Sequence, residues 1–133
     1  MLPKLSRVGV LVTPTSTTYR AISESVQGAA QKAGVKTLVA EASSPQEIES
    51  AFSMMARENT GAVIVGAAAF FILQQHQIAE LALKYRMPSI APNREYVEAG
   101  GLMSYGTKVT DLYQRSATYV DKILKGAKPG DLP

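Results

Sequence analysis

Apolar positions along this chain follow two rhythms. Short unbroken apolar runs alternate with longer stretches in which apolar residues recur every three or four positions. The first run, "VGVLV" at residues 8–12, reads as a buried strand. Pro14 and a cluster of hydroxyl residues break it. Between residues 18 and 33, Ile22, Val26, Ala29, Ala30 and Ala33 then fall at helical spacing. Gly34 ends that helix, because glycine accepts the left-handed conformation that follows many helix C-termini. A second strand, "VKTLVA", spans residues 35–40. Ser44-Pro45-Gln46-Glu47 is a capping box with proline at the first helical position, and Ile48, Ala51, Phe52 and Met55 form one apolar face behind it. Residues 62–65, "AVIV", predict a third strand, and residues 70–85 one long helix with Ile78, Leu81, Ala82 and Tyr85 inward. A fourth strand is expected at 87–91, a helical turn at 94–99 and a fifth short strand at 102–105. The last helix, 109–124, would turn Leu112, Ala117, Val120, Ile123 and Leu124 to the core, before a Gly/Pro-rich exit, "KGAKPGDLP".

Strands that are apolar throughout and separated by amphipathic helices imply a parallel sheet covered on both faces. Right-handed crossovers then give a doubly wound α/β fold, a flavodoxin-like or Rossmann-like three-layer sandwich of five strands in the order 2-1-3-4-5. The whole chain, 1–133, is expected to form one such domain. Ligands of such sheets sit beyond the carboxyl ends of the strands. That singles out "TPTSTTYR", "GAAAFF", "PNRE" and "YGTK", at residues 13–20, 66–71, 92–95 and 105–108.

Composition narrows the chemistry. The chain is 46% hydrophobic and 19% charged, enough apolar surface for a packed core. A net charge of +3, scattered and without interleaved stacking aromatics, argues against a nucleic-acid partner. With no cysteine there are no disulfides or thiolate metal sites, and a lone His76 amid glutamines gives a metal nothing to build on. No phosphate-loop, dinucleotide or nucleophile-elbow motif is present, and no catalytic residue, metal site or cofactor is expected. The N-terminal apolar run is too short for a signal peptide, and no stretch is long enough to span a membrane.

The rim segments suit binding better than catalysis. Thr15, Ser16 and Thr17 precede a helix N-terminus, where free N–H groups favour an anion; equally, one hydroxyl merely caps the helix. Arg94 either clamps a carboxylate or pairs with Glu95 at the surface. Asn93 would fix a ligand's orientation, while Phe70 and Tyr105 either pack on its apolar part or serve the fold. Gly100-Gly101 is read as a turn needing positive φ.

The runs "FF…QIAELALKYRMPSIA…REYVEAGGLMSYG…DLYQRSATYVDKILKGAKPGDLP" strongly resemble the ABC transporter substrate-binding proteins of the tryptophan/tyrosine type. The resemblance covers residues 4–133 and is most specific at 94–106 and 117–133. It implies one lobe, the C-terminal one, of a two-lobed type I periplasmic binding protein that holds a small organic solute, such as an aromatic amino acid, between lobes that close. "LPKLSRVGVLV" resembles the crossing into that lobe and "KGAKPGDLP" the start of the return, so the first lobe, the secretion signal and a closing segment are expected to lie outside this chain. The implied partners are that N-terminal lobe and a transporter permease, and the implied location of the family is periplasmic or extracytoplasmic. Where relatives often carry Asp-Pro before the Phe pair, this chain has Ala68-Ala69, which removes a carboxylate that could hold a ligand's ammonium group; the usual Asn-Pro after the first strand is Thr13-Pro14. Two competing readings remain: a free-standing flavodoxin-like domain binding phosphate or flavin through its hydroxyl loop, and an interaction module or homodimer paired through the exposed cleft face.

Overall fold

The computed structural model describes residues 5–106 and 108–132. Residues 1–4 and 133 of the two lobe-crossing stretches, and Thr107 of the "YGTK" segment, lie outside the described residues. The chain runs β1 (Arg7–Val12), α1 (Tyr19–Lys32), β2 (Lys36–Glu41), α2 (Pro45–Arg57), β3 (Ala62–Val65), α3 (Ala69–Leu73), α4 (Gln75–Lys84), β4 (Ser89–Ala91), α5 (Glu95–Glu98), β5 (Met103–Ser104) and α6 (Val109–Leu124), then a short 3₁₀ turn, Pro129–Asp131. The five strands form one parallel sheet in the order β2-β1-β3-β4-β5, the expected doubly wound topology.

Register sorts the strand residues onto two faces. Gly9, Leu11, Leu38, Ala40, Val63, Val65, Ser89 and Ala91 look toward α2 and α4. There they meet Ile48, Phe52, Met55, Ile78, Leu81 and Ala82 in the main core. A Cβ on Gly9 would collide with the Met55 side chain, so α2 can lie close only over a glycine. Val8, Val10 and Val12 point the other way and are buried. They lie under α1, whose Ile22 reaches to within 3.8 Å of a Cβ position on Gly66.

Helix ends follow the sequence chemistry. The Ser44 hydroxyl accepts from the Glu47 amide at 3.2 Å, and the Glu47 carboxylate accepts from the Ser43 amide at 2.6 Å. This is a capping box with its return bond displaced by one residue. Gly34, at φ +68°, terminates α1 as predicted. Of the expected Gly100-Gly101 turn, only Gly100 needs positive φ, at +99°. Gly101 is required for a different reason: a side chain there would collide with the ring of Tyr96.

Two expectations are corrected. The long helix expected at residues 70–85 is two helices, because Gln74 leaves helical geometry at φ −103°, ψ 14°. The break turns Phe71 into the core and leaves Leu73 in solvent. The second concerns α6. Its Leu112, Val120, Ile123 and Leu124 are 47%, 55%, 41% and 82% exposed, Ala117 is exposed too, and no described side chain of the helix is buried. The amphipathic pattern was read correctly, but amphipathicity specifies only that a face wants cover and not what supplies it. β5 pairs through just two residues, so little anchors the helix after it to the sheet.

Candidate functional site at the strand ends

The carboxyl ends of β3 and β4 open into a cavity of about 320 Å³. Val65 and Gly66 end one strand and Ala91 and Pro92 the other; Ala67, Ala68 and Ala69 form the wall toward α3. Phe71 and Ile72 close one side, Asn93 and Tyr96 the other. Three consecutive alanines keep that wall shallow, which is what makes the space.

The cavity carries little polarity. Asn93 is buried, and its amide nitrogen donates to Gln75 Oε1 at 3.2 Å, which fixes the plane of the amide against the start of α4. Tyr96 presents its ring, while its hydroxyl donates to Ser89 Oγ at 2.6 Å beneath the floor. Burial pushes the Tyr96 hydroxyl above its ordinary pKa, offset in part by the Ser89 bond. No ionisable side chain other than this tyrosine lines the space. Such a site can hold an apolar body and address one polar group, the division of labour found in small-molecule pockets.

The neighbouring crevice between β1 and β3, where strand order reverses, is closed. Ser16 and Thr18 both donate their hydroxyls to the Ala67 carbonyl, at 3.3 and 3.1 Å, and the Ser16 and Thr18 oxygens lie 2.8 Å apart. Thr15 is exposed and bonds to Thr13 Oγ1 at 3.0 Å; Thr17 is exposed. Thr18 stands at the N-cap of α1, yet its side chain makes no capping bond. Beside this loop the Tyr19 hydroxyl donates to Glu41 at 2.5 Å, a bond that raises the tyrosine pKa, with lesser contributions from desolvation and the carboxylate charge.

Of the seven side chains the sequence suggested, only Asn93 lines the cavity. Phe70 packs against the core beside Phe71, their ring centroids 5.4 Å apart, and it is Phe71 that reaches the cavity. Arg94 pairs with Glu98 at 3.5 Å, not with Glu95, and lies with Lys108 and Asp111 around a separate open hollow of about 650 Å³. Tyr105 is 87% exposed at the rim. The residues missed were the alanines, Phe71 and Tyr96. The segment "GAAAFF" pointed to the first two; nothing in the sequence said which phenylalanine turns inward, because that depends on where α3 begins. Among the described residues no cluster of His, Asp or Glu could hold a metal, and no helix is long and apolar enough to cross a membrane.

The structure is thus a doubly wound sheet with a small apolar cavity at its strand ends. The family model for ABC transporter substrate-binding proteins matches residues 1–133, and the chain belongs to that family. No curated protein matches it. Among solved structures, a conserved domain protein from Vibrio cholerae superposes with a TM-score of 0.84 at 25% identity, covering 98% of this chain and 44% of its own. A Streptococcus pneumoniae ABC domain in complex with L-Trp gives 0.82 at 24%, covering 98% and 45%. A ligand-free, open substrate-binding protein with adhesive properties from Clostridium difficile gives 0.72 at 20%, covering 99% and 44%. The chain thus spans less than half the length of these structures.

Proposed function

We propose that this chain is a ligand-binding lobe of an ABC transporter's solute-binding protein. Its ligand is a small organic solute with a flat apolar body and one hydrogen-bonding group that meets Asn93. The observation that carries this reading is the cavity at the ends of β3 and β4, apolar except for the oriented Asn93 amide. An aromatic solute suits the alanine wall and the Phe71 and Tyr96 rings, and the Streptococcus pneumoniae structure with L-Trp supports that class. Ala68 and Ala69 offer no carboxylate for an ammonium group, so the lobe favours the aromatic part over the zwitterion. Thr15, Ser16, Thr17, Phe70, Arg94 and Tyr105 would act at the rim against a closing second lobe; that lobe and a membrane permease are the proposed partners, outside the cytoplasmic membrane.

Binding to one wall of a two-walled site is weak, since a full pocket buries about 70–90% of a ligand. The test is therefore an amide-shift titration of the labelled chain with indole, L-tryptophan, inorganic phosphate and flavin mononucleotide. The reading expects saturable shifts from indole or L-tryptophan at residues 66–69, 91–93 and 96, abolished in Asn93→Leu for ligands with a polar group. Shifts confined to residues 15–19 with phosphate or flavin would instead establish the flavodoxin-like alternative. Absence of any aromatic response at the cavity would sink the proposed ligand class.

A further inference from the structure

Three glutamines, Gln74, Gln75 and Gln77, stand at the break between α3 and α4, and each has a separate task. Gln74 leaves helical geometry, and α4 restarts at Gln75. Gln77 Nε2 donates to the Pro45 carbonyl at 2.8 Å and ties α4 to the start of α2. Gln75 is half-buried, and its Oε1 accepts from Asn93 Nδ2 at 3.2 Å, a partner 18 positions further along the chain. A primary amide has one donating and one accepting end. Asn93 is only 8% exposed and lines the cavity, and Gln75 holds its donating end. Among the described residues no protein donor bonds its Oδ1, which stays open to the cavity. Neighbouring oxygens are already engaged: the Ala67 carbonyl by the Ser16 and Thr18 hydroxyls, the Tyr96 hydroxyl by Ser89.

We propose that Gln75 is a positioning residue that sets the polarity of the solute site. By holding the Asn93 N–H it turns Oδ1 to the ligand, and the site selects aromatic solutes that donate a hydrogen bond, such as an indole N–H or a phenol O–H. Solutes whose ring only accepts one are rejected. This rests on the solute-binding reading above and deepens it. The selection comes from an asymmetry in cost. A ligand donor satisfies Oδ1, whereas a ring nitrogen that only accepts sets lone pair against lone pair and leaves both without a partner. Apolar burial makes no such distinction, since rings of equal size bury equal area. Gln75 does not line the cavity and reaches the ligand only through Asn93. A donor at position 75 would bond Asn93 Oδ1 instead, turn Nδ2 inward and reverse the preference. What residue 75 offers therefore fixes what Asn93 presents.

The test is an amide-shift titration of the 133-residue chain with two uncharged two-ring ligands at neutral pH: indole, which donates, and quinoline, which only accepts. The expected result is shifts at residues 91–93 and 96, with indole bound about tenfold more tightly than quinoline. Gln75→Glu can only accept and should keep that order. Gln75→Lys can only donate and should reverse it, with native circular dichroism as the check on folding. Should Gln75→Lys not fold, Gln75→Leu takes its place; it frees the Asn93 amide to turn and should bring the two ligands to about equal affinity. A merely structural Gln75 would instead weaken both ligands alike in every variant, which would overturn the proposal. So would an indole preference that survives Gln75→Lys or Gln75→Leu. Equal binding of the two ligands to the wild type, or a preference for quinoline, would overturn this inference and leave the solute-binding reading standing. No response to either ligand at the cavity would overturn both.

Discussion

The Tyr96 hydroxyl donates to the Ser89 hydroxyl at 2.6 Å, and both side chains are almost wholly buried. This bond joins α5 to β4 below the cavity floor, so it sets the height at which the Tyr96 ring meets a ligand. Tyr96→Phe keeps the ring and leaves the Ser89 hydroxyl without its partner. A loss of about 1–2 kcal/mol in unfolding free energy is expected from denaturant titration. Ser89→Ala in the Tyr96→Phe background should recover part of that loss, because no orphaned polar group then remains.

Gly101 lies against the face of that ring. A methyl group there collides with the Tyr96 carbon atoms, so Gly101→Ala must push the ring toward the cavity or lift the β5 segment. Overpacking of this kind costs about 1–3 kcal/mol. The accompanying sign is narrower access to the cavity: aromatic-ligand shifts at residues 91–93 should weaken along with the melting temperature.

Alkaline pH should destabilise the fold through two tyrosines. Burial raises the Tyr96 pKa, and the bond to Glu41 raises that of Tyr19. A raised value means the folded chain keeps a proton that the unfolded chain releases above about pH 10. The stability these groups contribute is full below that pH and falls as pH climbs toward their folded values. Denaturation monitored between neutral and strongly alkaline pH should show this decline, and Tyr96→Phe should flatten it more than Tyr19→Phe, since Tyr19 is only half-buried and Tyr96 almost wholly so. A profile unchanged in Tyr96→Phe would assign the decline to other groups.

Arg86 ends α4 with φ +54°, a left-handed conformation that glycine adopts without steric cost. The Arg86 and Met87 amides close the helix onto the Leu83 and Ala82 carbonyls at 3.0 and 2.8 Å. Arg86→Gly should therefore stabilise the domain by about 0.5–1 kcal/mol, read as a higher melting temperature. Gly34→Ala, at φ +68°, is the opposite case and should lose a similar amount.

Most of the fold could be read from the sequence because its signals are local. Apolar runs marked β1 to β3, and Gly34 and the Ser44–Glu47 box marked helix ends. The break at Gln74 was not legible, since no proline or glycine announces it and the competing force is the burial of Phe71. The placement of α6 was missed for a deeper reason: a stripe of Val120 and Ile123 is identical whether its cover comes from the same sheet or from outside. At the site, Asn93 could be found because a polar residue after an apolar strand is conspicuous. The segment holding the alanines was singled out by its place after β3, but their part in making the space was not legible, because a cavity is made by what neighbouring side chains lack.

The two hydroxyls on the Ala67 carbonyl bear on how the site adapts. They lock the loop after β1 to the loop after β3, so this half of the rim is preorganised and pays little entropy when a ligand arrives. The opposite half, from Pro92 to Tyr105, hangs on a three-residue strand and a two-residue one. Discrimination among ligands of different size should consequently evolve on the β4–β5 side, with the alanine wall acting as a fixed gauge.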